Sequence, residues 1–195
     1  MTHGPQTISM EDRSVLLELA RRSITLAVSG QALPVLDLEA LPARLREDGV
    51  CFVTLFNADG GLRGCIGGLE ATRPLAQDVC EHAAAAALDD FRFRPVQPEE
   101  VVTLCIEISV LTPPTSLVCD NPAALPSQLR PGIDGVILRD GMHRATFLPQ
   151  VWEKLPDPCS FLSHLCQKMG APADLWKRKC LQVEVYQVEE FHDGA

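Results

Sequence analysis

The sequence predicts an α+β fold, an antiparallel sheet flanked by helices with a smaller lobe or subdomain, and three observations carry that expectation. Residues 101–111 alternate strictly between apolar and mixed positions, as a half-buried strand does. The run VCFVTLF at 50–56 is followed by the turn NADGG and then by LRGCIG, two strand-length segments joined closely enough to pair antiparallel. Two stretches, 9–30 and 72–88, carry apolar residues at helical spacing.

Each element follows in order. Ser9 and Asp12 form a capping-box-like start, and Val15, Leu19 and Leu26 recur on one helical face up to Gly30. A Leu- and Pro-rich loop spans 34–42, and Gly49 opens the first long apolar strand. In the turn, Asp59-Gly60 provides the positive φ of a tight connection. Thr72 and Pro74 mark the start of a helix with Leu75, Val79, Ala83 and Ala86 on one face to about Leu88. Following LRGCIGG closely, this helix is expected to aim its N-terminal N–H groups toward Cys65. The strand at 101–111 has Leu104, Ile106, Ile108 and Val110 on one face and Thr103, Cys105, Glu107 and Ser109 on the other.

The five prolines of 112–131 predict a surface excursion or linker to a small lobe rather than a regular element. GVILRDGMHRATFL reads as a hairpin around Asp140-Gly141. Asp157-Pro158 starts a helix ending at Gly170, Asp174–Lys179 is a short helical piece, and LQVEVYQV is a closing strand. One domain over 8–192 is expected, with 1–7 and 193–195 as flexible ends.

Composition excludes several function classes. A net charge of -9 repels nucleic acid and anionic membrane surfaces. No apolar stretch reaches the ~18 residues of a membrane span, and MTHGPQTISM has neither a basic leader nor an apolar core, so a cytoplasmic location is expected. Cys51, Cys80, Cys105, Cys166 and Cys180 fall inside apolar patterns and read as reduced, buried thiols, and no CxxC pair occurs. His82, His143 and His164 lack the spacing of a metal motif, so no metal ligands are assigned, and a site pairing Cys65 with His82 has little support. Neither a phosphate loop nor a dinucleotide fingerprint is present, and no cofactor is indicated.

LRGCIGG at 62–68 is the chemically richest segment. Its glycines lower strand propensity and imply close approach of the main chain, while Arg63 beside Cys65 favours a thiolate. Cys65 is therefore a nucleophile or redox thiol, or else a buried cysteine at a crowded crossing. Arg63 either clamps a carboxylate or phosphate of a ligand or pairs with Asp89 or Asp90. Asp90 and Arg92 carry loop chemistry or hold the loop as a cap and ion pair. Glu107 is an acid or base, or a partner for Arg63 or Arg92.

LRGCIGG, AAAAALDDFRFRP, IEISVL and ATFLPQV together resemble, in order and spacing, the AMMECR-type domain, also called AmmeMemoRadiSam system protein A, from about Met10 to His192. The resemblance implies a compact α+β domain with a smaller lobe, in a prokaryote, beside a Memo-like protein and a radical SAM protein. It implies no particular reaction. Its pattern falls on Leu62 to Gly67, on Asp90, Arg92, Phe93 and Pro95, on Glu107, and on Pro149 with Gln150. The chain departs from it at Gly68 and at Gly132-Ile133-Asp134-Gly135.

Two functions follow. In the first, a cytosolic enzyme or enzyme subunit has a small-molecule cleft at LRGCIGG, with Cys65, Glu107 and Asp90 catalytic and Arg63, Gly64, Gly67, Arg92 and Gln150 contacting substrate. In the second, the motif is a docking surface of a non-catalytic binding module and Cys65 is structural.

Overall fold

The structure, a computed structural model, describes residues 7–193. The parts of the expected flexible ends at 1–6 and 194–195 lie outside the described residues. In chain order the helices are α1 (Met10–Val28), α2 (Ala43–Arg46), α3 (Leu75–Leu88), α4 (Leu125–Gln128), α5 (Pro158–Lys168) and α6 (Leu175–Arg178). The strands are β1 (Asp48–Gly49), β2 (Cys51–Phe56), β3 (Leu62–Gly67), β4 (Arg73–Pro74), β5 (Cys105–Leu111), β6 (Thr115–Leu117), β7 (Gly135–Asp140), β8 (His143–Phe147), β9 (Gln182–Tyr186) and β10 (Val188–His192). Helices and antiparallel sheets thus make the predicted α+β class, and the described residues divide into two compact units: one of 7–111 with 189–193, the other of 112–188.

In the first unit a four-stranded sheet runs in the order β10-β5-β2-β3. Helix α1 is capped by Ser9, whose hydroxyl accepts the Asp12 N–H at 3.1 Å. Its buried stripe is Leu16, Ala20 and Ile24, one position round from the expected Val15 and Leu19, which pack at the core margin. Helix α1 packs against α3, and Ala20 of α1 shares one core with Ala83, Ala86 and Ala87 of α3, short side chains that let two helices approach. Together α1 and α3 cover the sheet face formed by Val53, Leu55, Ile106 and Ile108. Phe52 and Thr54 alternate onto the opposite face. The turn after β2 is closed by Asn57 N–H to Gly61 O at 2.8 Å, with Gly60 at φ +81° as its sequence requires.

The second unit has its own sheet, β6-β9-β7-β8, and its own core. The expected hairpin joins β7 to β8 around Asp140-Gly141. Helix α5 starts at Pro158 with Asp157 accepting the Ser160 N–H at 2.8 Å, and its Phe161 stacks on Trp152 with ring centroids 3.7 Å apart.

Four more expectations change. The proline-rich stretch 112–131 contains strand β6, paired with β9, and helix α4, whose Leu125 is buried. Its prolines sit in the connections and at a helix start, where a missing N–H costs nothing. The closing strand is two strands in different sheets, broken at Gln187. There the N–H goes to Thr112 Oγ1 at 2.8 Å and the carbonyl accepts the Thr112 N–H at 2.9 Å. Of the expected buried cysteines, Cys51, Cys80 and Cys166 are buried, Cys105 is half-buried, and Cys180 is exposed because it lies in the connection just before β9. Asp193, expected in a flexible end, accepts the Ile106 N–H at 2.8 Å and pairs with Arg21.

Candidate functional site: the glycine strand and its neighbours

Strand β3 lies at the sheet edge beside β2, and two of its glycines are dictated by packing. A Cβ at Gly64 would stand 2.1 Å from the Ala86 carbonyl oxygen of α3, and one at Gly67 would stand 2.3 Å from the Phe52 ring. The close approach that the sequence implied is therefore between strand and helix, and between backbone and ring. It also reverses one expectation. Helix α3 packs back along the strand it follows, so Ala86 in its last turns meets Gly64, and its N-terminus at Leu75 lies against Gly49. The helix end near Cys65 is the carbonyl end, not the N–H end.

What surrounds Cys65 is a hydrogen-bonded clamp. Its N–H donates to Asp90 Oδ2 at 2.8 Å, and its carbonyl accepts from Arg92 Nη2 at 3.4 Å. Arg92 in turn donates from Nε to Asp90 Oδ1 at 2.8 Å, from Nη2 to Oδ2 at 2.6 Å, and from its backbone N–H to Oδ1 at 3.1 Å. Asp90 is buried, and the Arg92 guanidinium together with the Cys65 N–H holds its carboxyl far below the usual carboxylate range. The thiol accepts the Thr54 hydroxyl at 3.3 Å. The backbone donor expected to serve the thiolate is thus spent on Asp90.

Arg63 shares the Cys65 face of β3 but pairs elsewhere. Its Nε and Nη2 grip both oxygens of Glu100 at 2.9 and 3.1 Å, and Nη1 donates to the Arg94 carbonyl at 2.9 Å. Asp90, one of the two expected partners, is taken by Arg92. The Arg63 guanidinium holds the Glu100 carboxyl below its ordinary range. A cavity of about 470 Å³ opens beside this pair, lined by Phe93, Arg94, Pro95 and Gln97.

Thr54 lies directly across from Cys65 on one side and from Glu107 on the other. The three residues form a row over one sheet face, with Cys65 and Glu107 two strand spacings, about 9–10 Å, apart. Glu107 does not pair with Arg63 or Arg92. Burial, and then the charge and hydrogen bond of Glu190 on neighbouring β10, push its carboxyl above the ordinary value, with His192 opposing. A carboxyl raised in the folded state binds its proton more readily there, so its stabilising contribution is present below about pH 4.3 and is lost as pH rises through the folded value. Glu107→Gln is accordingly expected to raise the thermal midpoint at pH 7 and to leave it unchanged near pH 3.

Gln150 belongs to the second unit, in the 3-10 turn Pro149–Glu153. Asp134, in the segment where the chain departs from the family pattern, is buried and bound by Arg130 through Nη2 at 2.6 Å.

One cluster escaped the sequence reading. Cys51 of β2 meets Asp78 and His82 of α3: the Cys51 N–H donates to Asp78 Oδ2 at 3.0 Å, and His82 Nδ1 lies 3.0 Å from the same oxygen and 3.8 Å from Cys51 Sγ. These ligand-type atoms all fall within 4.8 Å of one another. Asp78 and His82 are four apart on one helix, a spacing legible in the sequence, whereas Cys51 comes from a strand that only the fold brings beside them.

The fold and site define an α+β protein of two units with a clamped cysteine on a glycine-rich edge strand. The AMMECR1 family pattern matches residues 17–191, and the chain belongs to that family. A protein of Methanothermobacter thermautotrophicus is 38% identical over 199 residues, covering 100% of both chains. Protein MK0488 of Methanopyrus kandleri is 37% identical over 193 residues, covering 96% of this chain and 91% of its own. The crystal structure of protein PH0010 from Pyrococcus horikoshii superimposes with a TM-score of 0.76 at 34% identity, covering 91% of this chain and 89% of that one. Among the described residues no helix is long and apolar enough to cross a membrane.

Proposed function

We propose that this AMMECR1 protein is an enzyme or enzyme subunit that works on a small molecule at the Cys65 face of the first unit's sheet. Cys65 is the nucleophile or thiol ligand. Asp90 and Arg92 act as positioning residues, since between them they fix the peptide groups on both sides of the thiol. Glu107, sharing a hydrogen bond with Glu190, is the proton-handling carboxyl, and Thr54 between them marks where a small substrate would lie. Arg63, held by Glu100, shapes the neighbouring cavity. The observation that carries the reading is the thiol itself: half-buried, off the core face, and engaged by the Thr54 hydroxyl. The family resemblance adds a setting, a cytosolic prokaryotic system with a Memo-like protein and a radical SAM protein as partners.

Site-resolved alkylation across pH tests it, with exposed Cys159 and Cys180 as references and buried Cys51, Cys80 and Cys166 as inert controls. Cys65 is expected to react faster at neutral pH than either exposed reference. Inertness until the protein unfolds would refute a catalytic thiol.

A second reading, a binding module, is favoured by Phe91, which is 95% exposed in the same loop as the Asp90–Arg92 pair. On that reading Phe91→Ala releases co-purifying partner proteins while Cys65→Ser does not. The enzyme reading expects Cys65→Ser to abolish turnover and leave partner affinity unchanged.

A further inference from the structure

We propose that Cys51, Asp78 and His82 form a binding site for a zinc-class divalent cation, on the opposite sheet face from Cys65 and independent of any role for that thiol. The donor set is one sulfur, one imidazole nitrogen and one carboxylate oxygen, the mixture that suits a borderline-soft d-block ion rather than Mg²⁺ or Ca²⁺. Two of the three ligand spacings are close to those of a tetrahedral centre. Bonds of about 2.3 Å to sulfur and 2.0–2.1 Å to nitrogen and oxygen give S···N and N···O edges of about 3.6 and 3.3 Å. The observed edges are 3.8 and 3.0 Å.

The Asp78 carboxylate gathers the other two groups: the Cys51 thiol hydrogen-bonds to it, and Oδ2 and Cys51 Sγ both face the single nitrogen Nδ1 of His82. A cation at the centre of the three engages all of their lone pairs at once. On binding, the Cys51 S–H bond breaks and its proton leaves to solvent while sulfur bonds the metal. His82 binds through Nδ1 with its own proton on Nε2, and Asp78 binds as the carboxylate.

Surroundings fit the same role. Arg73 Nε lies 3.8 Å from Asp78 Oδ1, the oxygen not shared with His82, and the Cys51 N–H orients Oδ2. These are the outer contacts that fix a ligating carboxylate. Gly68 packs over the imidazole: a Cβ there would lie 3.3 Å from Cε1 and 3.7 Å from Nε2. The glycine that departs from the family pattern therefore sits against a histidine of this cluster. His82 retains 20% side-chain exposure, so the cluster is not sealed from solvent.

The test is a Co²⁺ titration of the full reduced chain after chelation, followed by displacement with Zn²⁺. A thiolate-to-cobalt absorption band that saturates stoichiometrically with protein and is bleached by Zn²⁺ is expected. His82→Asn, at the partly exposed ligand, should weaken Co²⁺ by more than the ~10–100-fold that loss of an outer-shell partner costs, and Cys51→Ser should remove the band. Cys65→Ser and the double variant Cys159→Ser/Cys180→Ser should keep it. Absence of the band in the unaltered protein, unchanged Co²⁺ affinity in His82→Asn, or loss of the band with Cys65→Ser would each overturn the site. The first of these outcomes needs no variant, so a misfolded mutant cannot shelter the proposal.

Discussion

Asp90→Ala is expected to destabilise the first unit by about 2–4 kcal/mol, read as a lower urea midpoint at unchanged slope. The carboxylate does two things at once. It accepts the Cys65 N–H at 2.8 Å, and an orphaned donor there costs about 1–3 kcal/mol. It also anchors Arg92, whose side chain is 46% exposed, so solvent screening limits that share to about 1 kcal/mol. Because the folded carboxyl is held far below the unfolded value of about 3.9, its contribution is fully present above that value and is lost as pH falls toward the folded one. The unaltered protein should therefore lose stability on acidification below about pH 4 more steeply than Asp90→Ala does. Equal acid slopes would show that the Asp90–Arg92 pair contributes nothing. The same variant should change the alkylation rate of Cys65 without touching the thiol, because the peptide that carries it is no longer fixed.

Gly64→Ala is expected to cost as much or more, about 3 kcal/mol, the upper end for overpacking a core. A methyl group would stand 2.1 Å from the Ala86 carbonyl oxygen, a backbone atom of α3 that can move only if the helix moves. Gly68→Ala supplies the contrast. Its methyl would meet the Val50 Cγ2 at 3.2 Å and the His82 ring edge at 3.3 Å, side-chain atoms able to yield by tenths of an ångström. The expected order of denaturation midpoints is unaltered protein, then Gly68→Ala, then Gly64→Ala at the bottom. An inverted order would mean that strand β3 and helix α3 are not in the contact described.

Local chemistry was legible in the sequence wherever a single element decided it. Ser9, Asp157 and the Asp140-Gly141 turn act at the positions their residue types favour, and alternation marks β5 from Cys105, although Val101–Thr103, expected in the same strand, form a 3-10 turn. Misreadings arose where tertiary packing chose. Both Leu19 and Leu16 fit a helical face, and packing in the fold buries Leu16 with Ala20. The LQVEVYQV pattern is one continuous strand by period, yet Thr112 captures both backbone groups of Gln187 and breaks it. At the site, the Asp90–Arg92 ion pair was legible as one of two alternatives, but the partners of Arg63, Glu107 and Cys65 were not. Glu100, Glu190 and Thr54 reach Arg63, Glu107 and Cys65 from other elements, and no spacing announces such a pairing. Cys51 was read as an inert core thiol for the same reason, since Asp78 and His82 approach it from a helix.

The paired bonds between Thr112 and Gln187 bear on the order in which this chain assembles. Strand β10 joins the sheet beside β5, yet the whole of 112–188 is synthesised between them. While that segment is unfolded it is a long loop whose closure opposes docking of β10. Once folded, it presents its two ends side by side and the closure cost has already been met. Maturation is therefore expected to be stepwise: β5 waits as a sheet edge, the inserted unit folds, and only then does Glu190 arrive opposite Glu107. The Glu107–Glu190 pair is therefore the last part of this sheet face to form, after the rest of the molecule is in place.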